Sequence, residues 1–290
     1  MMDGHEPHTN VSRRGFLRRT AAAAVAGGAG VGLYTWRVEP HWPEVVERTM
    51  PLAGLPSGLA GKRLVQVSDL HIGPVVDKRW MIDQLQRLER LRPDAIVLTG
   101  DFMTCDHAEQ LAQAEEVLAE LAPAPLGRFA VLGNHDYGHR WSFPKVADGL
   151  VDRLERLDVR VLQNEVAHMG GLQIAGLDEF MTSRFDAERT ARELATDRDA
   201  VALVHNPDAA DERAWASFRG WFLAGHTHGG QCKPPFFRPP VLPCVNRDYI
   251  AGEYELAEGR RMYINRGLGY MQRVRFNCRP EITVFTLTAA

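Results

Sequence analysis

Cysteine is scarce. Only Cys105, Cys232, Cys244 and Cys278 occur in 290 residues, and no two stand in C-x-x-C spacing. That spacing excludes a structural zinc knuckle, while a Cys232–Cys244 disulfide and single buried thiols both stay open. Basic excess is missing as well. The net charge of −3 leaves no electrostatic footprint for nucleic acid. No internal repeat is present, and no long run of Leu and Ile. The most uniform uncharged stretch, Thr20–Trp36, is mainly Ala and Gly and is marginal as a membrane span. What remains is ordinary for a globular protein: 45% hydrophobic and 24% charged residues suffice for a full core.

The uncharged stretch follows "SRRGFLRR" (Ser12–Arg19). A doubled arginine, then Phe-Leu, then a mildly apolar run resembles a twin-arginine export signal. The resemblance implies the twin-arginine export machinery as a partner and the cell envelope as destination, with a membrane surface as a further partner. No clear A-x-A site follows, so cleavage and retention as an anchor both fit. The expected organisation is a signal or anchor over 1–40, a linker and entry segment over 41–61, and one domain over 62–290. The linker reading rests on the prolines and glycines of "HWPEVVERTMPLAGLPSGLAG".

Beyond it, apolar runs alternate with helical periodicity. "RLVQVSD", "AIVLTGD" and "FAVLGNHD" read as strands, separated by "KRWMIDQLQRLERL" and "AEQLAQAEEVLAEL". Strands spaced by such helices indicate βαβ units and parallel pairing. The second half is more mixed. It has a strand pair turning at Gly170-Gly171, buried strands at "AVALVHNP" and "GWFLAGHTH", a hairpin in "YELAEGRRMYINRG" and a last strand "EITVFTLT". The expected fold is α/β, two packed sheets with helices outside.

The strand ends carry the chemistry. They supply Asp69 and His71 ("SDLH"), Asp101 ("TGD"), Asn134, His135 and Asp136 ("GNHD"), His205, and then His226 and His228 ("GHTHGGQ"). Ligands of parallel sheets gather outside the carboxyl ends of strands, where these donors converge. Each residue has a plain reading of its own. Asp69 and Asp101 fit helix N-caps, Asn134 a Gly-Asn turn, and "GHTHGGQ" alone fits a glycine-rich surface turn as well as a binding site. Their joint occurrence at successive strand ends is what these readings fail to explain. If the chain stays extended through His226 and His228, both imidazoles face one point, with Gly225, Gly229 and Gly230 allowing close approach. His5, His8, His41, His107, His139 and His168 lack such settings and read as surface or structural residues.

The series D-x-H, GD, GNHD, H, GHxH between Arg63 and His228 resembles the calcineurin-like metallophosphoesterases. Together with the N-terminus and "INRGLGY…RFNCRPEIT", it is similar to their exported or membrane-attached subgroup, some of which hydrolyse UDP-2,3-diacylglucosamine. The resemblance implies an α/β/β/α sandwich and two divalent metal ions, with Mn, Fe and Zn all suiting a mixed oxygen and nitrogen donor set. It implies Asp69, His71 and His228 at one ion, Asn134, His205 and His226 at the other, and Asp101 bridging. It makes His135 a catalytic residue outside the ligand set, with Asp136 placed to orient it. A phosphorylated small-molecule or lipid-linked substrate follows. A soluble nucleotide or cyclic-nucleotide phosphodiesterase and a non-catalytic metal-binding scaffold are the alternatives. For the substrate, Asn134, Arg273 and Arg275 are the expected contacts. The loop "PPFFRPPVLP" fits either a lipid-facing wall built on Phe236, Phe237, Val241 and Leu242 or a loop packed back on the domain, with Arg238 meeting headgroup phosphate in the first case.

Overall fold

A computed structural model describes residues 12–104 and 109–290; His5, His8, Cys105 and His107 lie outside them. In chain order the strands are β1 (Glu44–Leu52), β2 (Arg63–Val67), β3 (Ala95–Thr99), β4 (Arg128–Val131), β5 (Val159–Val161), β6 (Glu165–Met169), β7 (Leu172–Gly176), β8 (Ala200–Leu203), β9 (Gly220–Ala224), β10 (Gly252–Glu255), β11 (Arg261–Ile264) and β12 (Glu281–Ala289). The α-helices are α1 (Arg13–Leu33), α2 (Lys78–Arg87), α3 (Glu109–Leu118), α4 (Pro144–Arg156) and α5 (Ala187–Glu193).

Two six-stranded sheets form, in the orders β1-β12-β2-β3-β4-β5 and β10-β11-β9-β8-β7-β6. β2 to β5 run parallel, while β12 pairs antiparallel to β2 and parallel to β1. In the second sheet β7, β8, β9 and β11 are parallel, with β6 and β10 antiparallel at its edges. Both sheets are therefore mixed. β3, β8 and β9 are almost wholly apolar and β2 is so apart from Arg63 and Gln66, because each sheet is covered on both sides.

One core fills the space between the sheets, where Leu64, Val97 and Val131 meet Ile174, Leu203 and Trp221. Another lies under α2, α3 and α4, with Leu85, Val117 and Leu150 against Ile96 and Leu98. A third lies on the outer face of the second sheet, where Trp215, Phe218 and Phe222 stack edge to face. The layering is α/β/β/α. Each fully buried Leu or Val contributes about 1.5–3 kcal/mol, so Leu85→Asp would unseat α2. The helix starts are locally specified too. Asp77 accepts from the amide of Trp80 (2.8 Å), and α4 begins on Pro144, where a missing N–H costs nothing.

The 41–61 segment departs from the linker reading. Glu44–Leu52 is β1, paired along its length with β12. Pro51 is tolerated because β1 is an edge strand and its missing donor would face outward. Cys232, Cys244 and Cys278 are free thiols, so Cys232 and Cys244 form no disulfide. No helix among the described residues is long and apolar enough to cross a membrane. α1 buries none of its side chains, and it leaves Phe16, Leu17, Val25, Val31 and Leu33 exposed.

Candidate metal centre and active site

Gln66 on β2 fixes where the strand ends meet. Its buried side-chain amide donates to Thr99 Oγ1 (3.1 Å) on β3 and to the Ala224 carbonyl (2.9 Å) on β9. One side chain thus links both sheets one step before their donors begin. Past the sheet the ladder continues as Asp69 N to Gly100 O (3.0 Å) and His71 N to Asp101 O (3.0 Å). The chain then leaves extended geometry. Asp69, His71, Asp101, His226 and His228 all have positive φ, between 48° and 71°. Left-handed backbone at non-glycine residues costs on the order of 1–3 kcal/mol each and persists where surroundings over-determine it.

This turns His226 and His228 away from the shared direction that extended backbone would give. The His226 ring packs against His205 and the His228 ring against His71. The glycines of "GHTHGGQ" also differ in role from the expectation. A Cβ on Gly225 would lie 2.0 Å from Ser68 Oγ, and one on Gly229 2.7 Å from Cys278 Sγ. They admit neighbouring protein rather than ligand.

Two groups of donors result. Asp69, His71 and His228 bring ligand atoms within 4.8 Å of one another, and Asp101, His205 and His226 do the same. The carboxylate of Asp101 lies between the groups: Oδ2 is 3.2 Å from His205 Nε2 and 3.7 Å from His71 Nε2. Asp69 Oδ1 lies 3.3 Å from His228 Nε2. Orientation comes from behind. His205 Nδ1 donates to Thr99 O (2.7 Å), His226 Nε2 donates to Pro243 O (2.5 Å), and Ser68 Oγ donates to Asp69 (2.6 Å). These bonds leave His205 Nε2 and His226 Nδ1 facing each other at 3.1 Å.

Burial sets the charge states. It pushes His71 down to about 3, His226 to about 4 and His228 well below its usual range, so these imidazoles keep free lone pairs at neutral pH. Burial raises Asp69 to about 6. At Asp101 and His205 burial opposes ionisation, yet their mutual attraction wins, holding the carboxyl well below and the imidazole well above their usual values.

The donors fit divalent cations, as two observations test. Asn134 Oδ1 is buried without any hydrogen-bond partner, and an orphaned buried polar atom requires an explanation. The donor set is nitrogen and oxygen without thiolate, which suits Mn, Fe or Zn. Asn134 itself is buried at the start of the single turn Asn134–Tyr137, next to Gly133, whose Cβ would lie 2.3 Å from Asp101 Oδ1.

His135 differs from all of these. It is half-buried, its amide donates to Asp101 Oδ1 (2.9 Å), and its Nδ1 lies 3.3 Å from the Thr104 carbonyl. With Nδ1 donating to Thr104, Nε2 is left free. Its ring centre is 5.2 Å from that of His71. Asp136 does not orient it. The Asp136 carboxylate is buried and accepts the amides of Met103 (3.1 Å) and Gly133 (2.8 Å), bracing the loops that carry Asp101 and Asn134. Burial raises it to about 8.

Arg275 also departs from its expected place. It is fully buried and donates to the carbonyls of Cys278, Arg266, Gly267 and Gly269, so it meets no substrate phosphate. Arg273 is half-buried, its guanidinium 5.7 Å from the ring of Trp36. Arg238 is exposed and paired with Asp248 at 2.6 Å. Phe236, Phe237 and Val241 stand exposed, Phe236 completely so, whereas Leu242 packs inward.

Several contributors had no separate signal in the sequence. Thr99, Thr104 and Pro243 act through backbone carbonyls, which any residue has. Asp178 receives the Tyr137 hydroxyl and the Gln163 amide (3.1 Å), tying the His135 turn to the end of β7. Glu179, beside it, is buried and raised by burial to about 7, with Oε2 unpartnered. "GLDE" is a sixth donor-bearing strand end and the fourth with a carboxylate, and that pattern could have exposed both residues.

Nitrogen and oxygen donors at the carboxyl edge of two packed sheets, with a free histidine beside them, define a metal-dependent phosphoesterase. The sequence profile of the calcineurin-like phosphoesterases matches residues 62–230, and the chain belongs to that family. It is 34% identical over 286 residues to YkuE of Bacillus subtilis, an uncharacterised metallophosphoesterase, covering 96% of this chain and 98% of that protein. It is 30% identical over 285 residues to the phosphodiesterase YaeI of Escherichia coli, covering 96% and 99%. It is 27% identical over 319 residues to the UDP-2,3-diacylglucosamine pyrophosphatase LpxG of Chlamydia trachomatis, covering 91% of this chain and 95% of that one.

Proposed function

We propose that the protein is a two-metal hydrolase of phosphodiester or pyrophosphate bonds, acting on an amphiphilic, lipid-linked substrate at the cell envelope. The observation that carries the hydrolytic part is the Asp101 carboxylate, 3.2 Å from His205 and 3.7 Å from His71, with the half-exposed His135 attached to its other oxygen. Asp69, His71 and His228 would hold one cation, Asn134, His205 and His226 the other, and Asp101 both. Two divalent cations supply Lewis-acid charge and a bound water of lowered pKa. Everything else falls to the chain. Thr99 and Pro243 aim His205 and His226, and burial keeps most of the imidazoles neutral. Thr104 O fixes the His135 ring through Nδ1, leaving Nε2 as the atom that would pass a proton to the leaving oxygen.

The lipid part is supported by the exposed Phe236, Phe237 and Val241, a few residues past His228, and by α1, with arginines at its start and exposed apolar side chains along it. The relative named as a UDP-2,3-diacylglucosamine pyrophosphatase suggests one substrate of this class. The twin-arginine pattern of Ser12–Arg19 supports export. Purified protein assayed on p-nitrophenyl phosphate, bis-p-nitrophenyl phosphate, cyclic nucleotides and UDP-2,3-diacylglucosamine tests the reading. Turnover of the lipid-linked pyrophosphate above the rest is expected, and exclusive turnover of cyclic nucleotides would replace it with the soluble alternative. Cell fractionation tests the location, with the protein expected in the envelope.

A further inference from the structure

The segment after α1 is bound to the loop after β11 along its whole course. The Arg275 amide donates to Thr35 O (3.0 Å), and the Cys278 amide donates to Glu39 Oε1 (2.5 Å). The Tyr270 hydroxyl meets His41 Nε2 (3.1 Å), and Arg279 donates to Trp42 O (2.9 Å) while covering the Trp42 ring. Glu39 is buried to 1% exposure, unusual for a carboxylate without a charged partner in contact. Both stretches lie outside residues 62–230, which match the family.

The loop so held stands directly behind one donor group. Cys278 Sγ donates to His228 O (3.1 Å). Arg275 gathers the carbonyls of Gly267 (3.1 Å) and Gly269 (2.7 Å) and comes within 3.5 Å of His228 Nδ1. Gly269 N in turn donates to Asp69 O (2.7 Å), and Leu268 N to Ser68 O (2.9 Å). Gly267 sits so close that a Cβ there would lie 2.8 Å from Asp69 Cβ. A short chain of contacts therefore runs from Glu39 through Cys278 to His228, and from Thr35 through Arg275 to Asp69. Among the described residues this chain of contacts reaches the second group only through the Asp69 carboxylate, which accepts the His226 amide (3.1 Å), whereas the imidazoles of His205 and His226 are held by Thr99 and Pro243.

We infer that Glu39 is a positioning residue for the Asp69–His71–His228 group, and that the Thr35–Trp42 segment is a working part of the active site. The inference rests on the two-cation reading above. Its logic is that of groups behind metal ligands, whose loss typically weakens metal affinity ~10–100-fold. Glu39→Ala leaves the Cys278 amide without its acceptor and frees the loop behind His228, whereas Glu39→Gln keeps an acceptor oxygen.

The test is Mn²⁺ binding to the full chain by calorimetry, together with the Mn²⁺ dependence of phosphodiester hydrolysis. In Glu39→Ala one of two Mn²⁺ ions should bind ~10–100-fold more weakly and the other unchanged, with kcat recovering at saturating Mn²⁺. Glu39→Gln should stay close to wild type. Should Glu39→Ala fail to fold, Tyr270→Phe loosens the same segment at His41 and should show a smaller weakening of the same ion. Wild-type affinity for both ions in the folded variant, or equal weakening of both, overturns the inference alone. A wild-type protein that binds no Mn²⁺ overturns the two-cation reading and this inference with it.

Discussion

On the floor of the site, Asp69, His71, Asp101, Asn134 and His205 are at most 2% exposed. Asp69, Asp101 and His205 are each held by a named bond, from Ser68, the His135 amide and the Thr99 carbonyl. On the rim, Phe236 is fully exposed, Phe237 and Val241 nearly as open, and no side-chain hydrogen bond anchors any of them. The floor accepts strain, with left-handed backbone at Asp69, His71 and Asp101, because neighbours on every side enforce it. The rim has an exposed left-handed residue of its own, Phe236, and no such enclosure. The difference separates two kinds of specificity. Under the proposed function the floor would fix which bond is broken, and the rim would select which molecule brings that bond.

The largest effect should come from the floor's shared residue. Asp101→Asn removes the charge attracting two cations, so bound metal should fall and phosphodiesterase activity should drop beyond the ~10⁴-fold upper end of a lost proton-transfer group. Elemental analysis and a turnover assay check both; an active variant retaining two metals breaks the floor's half of the comparison. Next comes His135→Ala. Because His135 touches Asp101 only through its amide, kcat should fall ~10²–10⁴-fold with metal content unchanged. Loss of metal with activity would move His135 into the ligand set.

A smaller effect concerns stability. Each cation that binds only the folded chain at 100 times its dissociation constant stabilises it by about 2.7 kcal/mol, roughly 5–10 °C in Tm per site at this size. Thermal melts with Mn²⁺ and with chelator check this, and identical melts would argue against a floor built for cations. The smallest effect on soluble substrates belongs to the rim. Replacing Phe236 and Phe237 by Ser should leave p-nitrophenyl phosphate turnover near wild type. Binding to anionic vesicles should weaken, as each inserted Phe contributes roughly 1.5–3 kcal/mol. Equal loss on soluble and lipid-linked substrates would make the loop structural and erase the contrast.

The same contrast explains what could be read from sequence. Asp69, His71, Asp101, His205, His226 and His228 were legible because strand periodicity announces where each strand stops, and carboxylates and imidazoles just past several stops point to one place. The two-sheet architecture followed from apolar runs of strand length. β1 was hidden because Pro43, Pro51 and Pro56, with Gly54, Gly58 and Gly61 after the strand, imitate a linker, and only pairing with β12 makes it a strand. Asp136 and Arg275 were misplaced for a related reason. Their types suit catalysis and phosphate binding, yet their partners are the backbone amides of Met103 and Gly133 and the carbonyls of Gly267 and Gly269. Backbone groups leave no trace in composition. Glu39 was invisible on the same ground, since its acceptor oxygen serves the amide of Cys278, 239 positions away.

Under the proposed function, Asp101 joins two cation sites in one catalytic floor. The most direct test is metal content measured on the same wild-type sample whose phosphodiesterase activity is titrated with Mn²⁺ after chelation. Activity should return as the second equivalent per chain is bound and be lost again on its removal. Full activity with a single equivalent, or none with two, would contradict it.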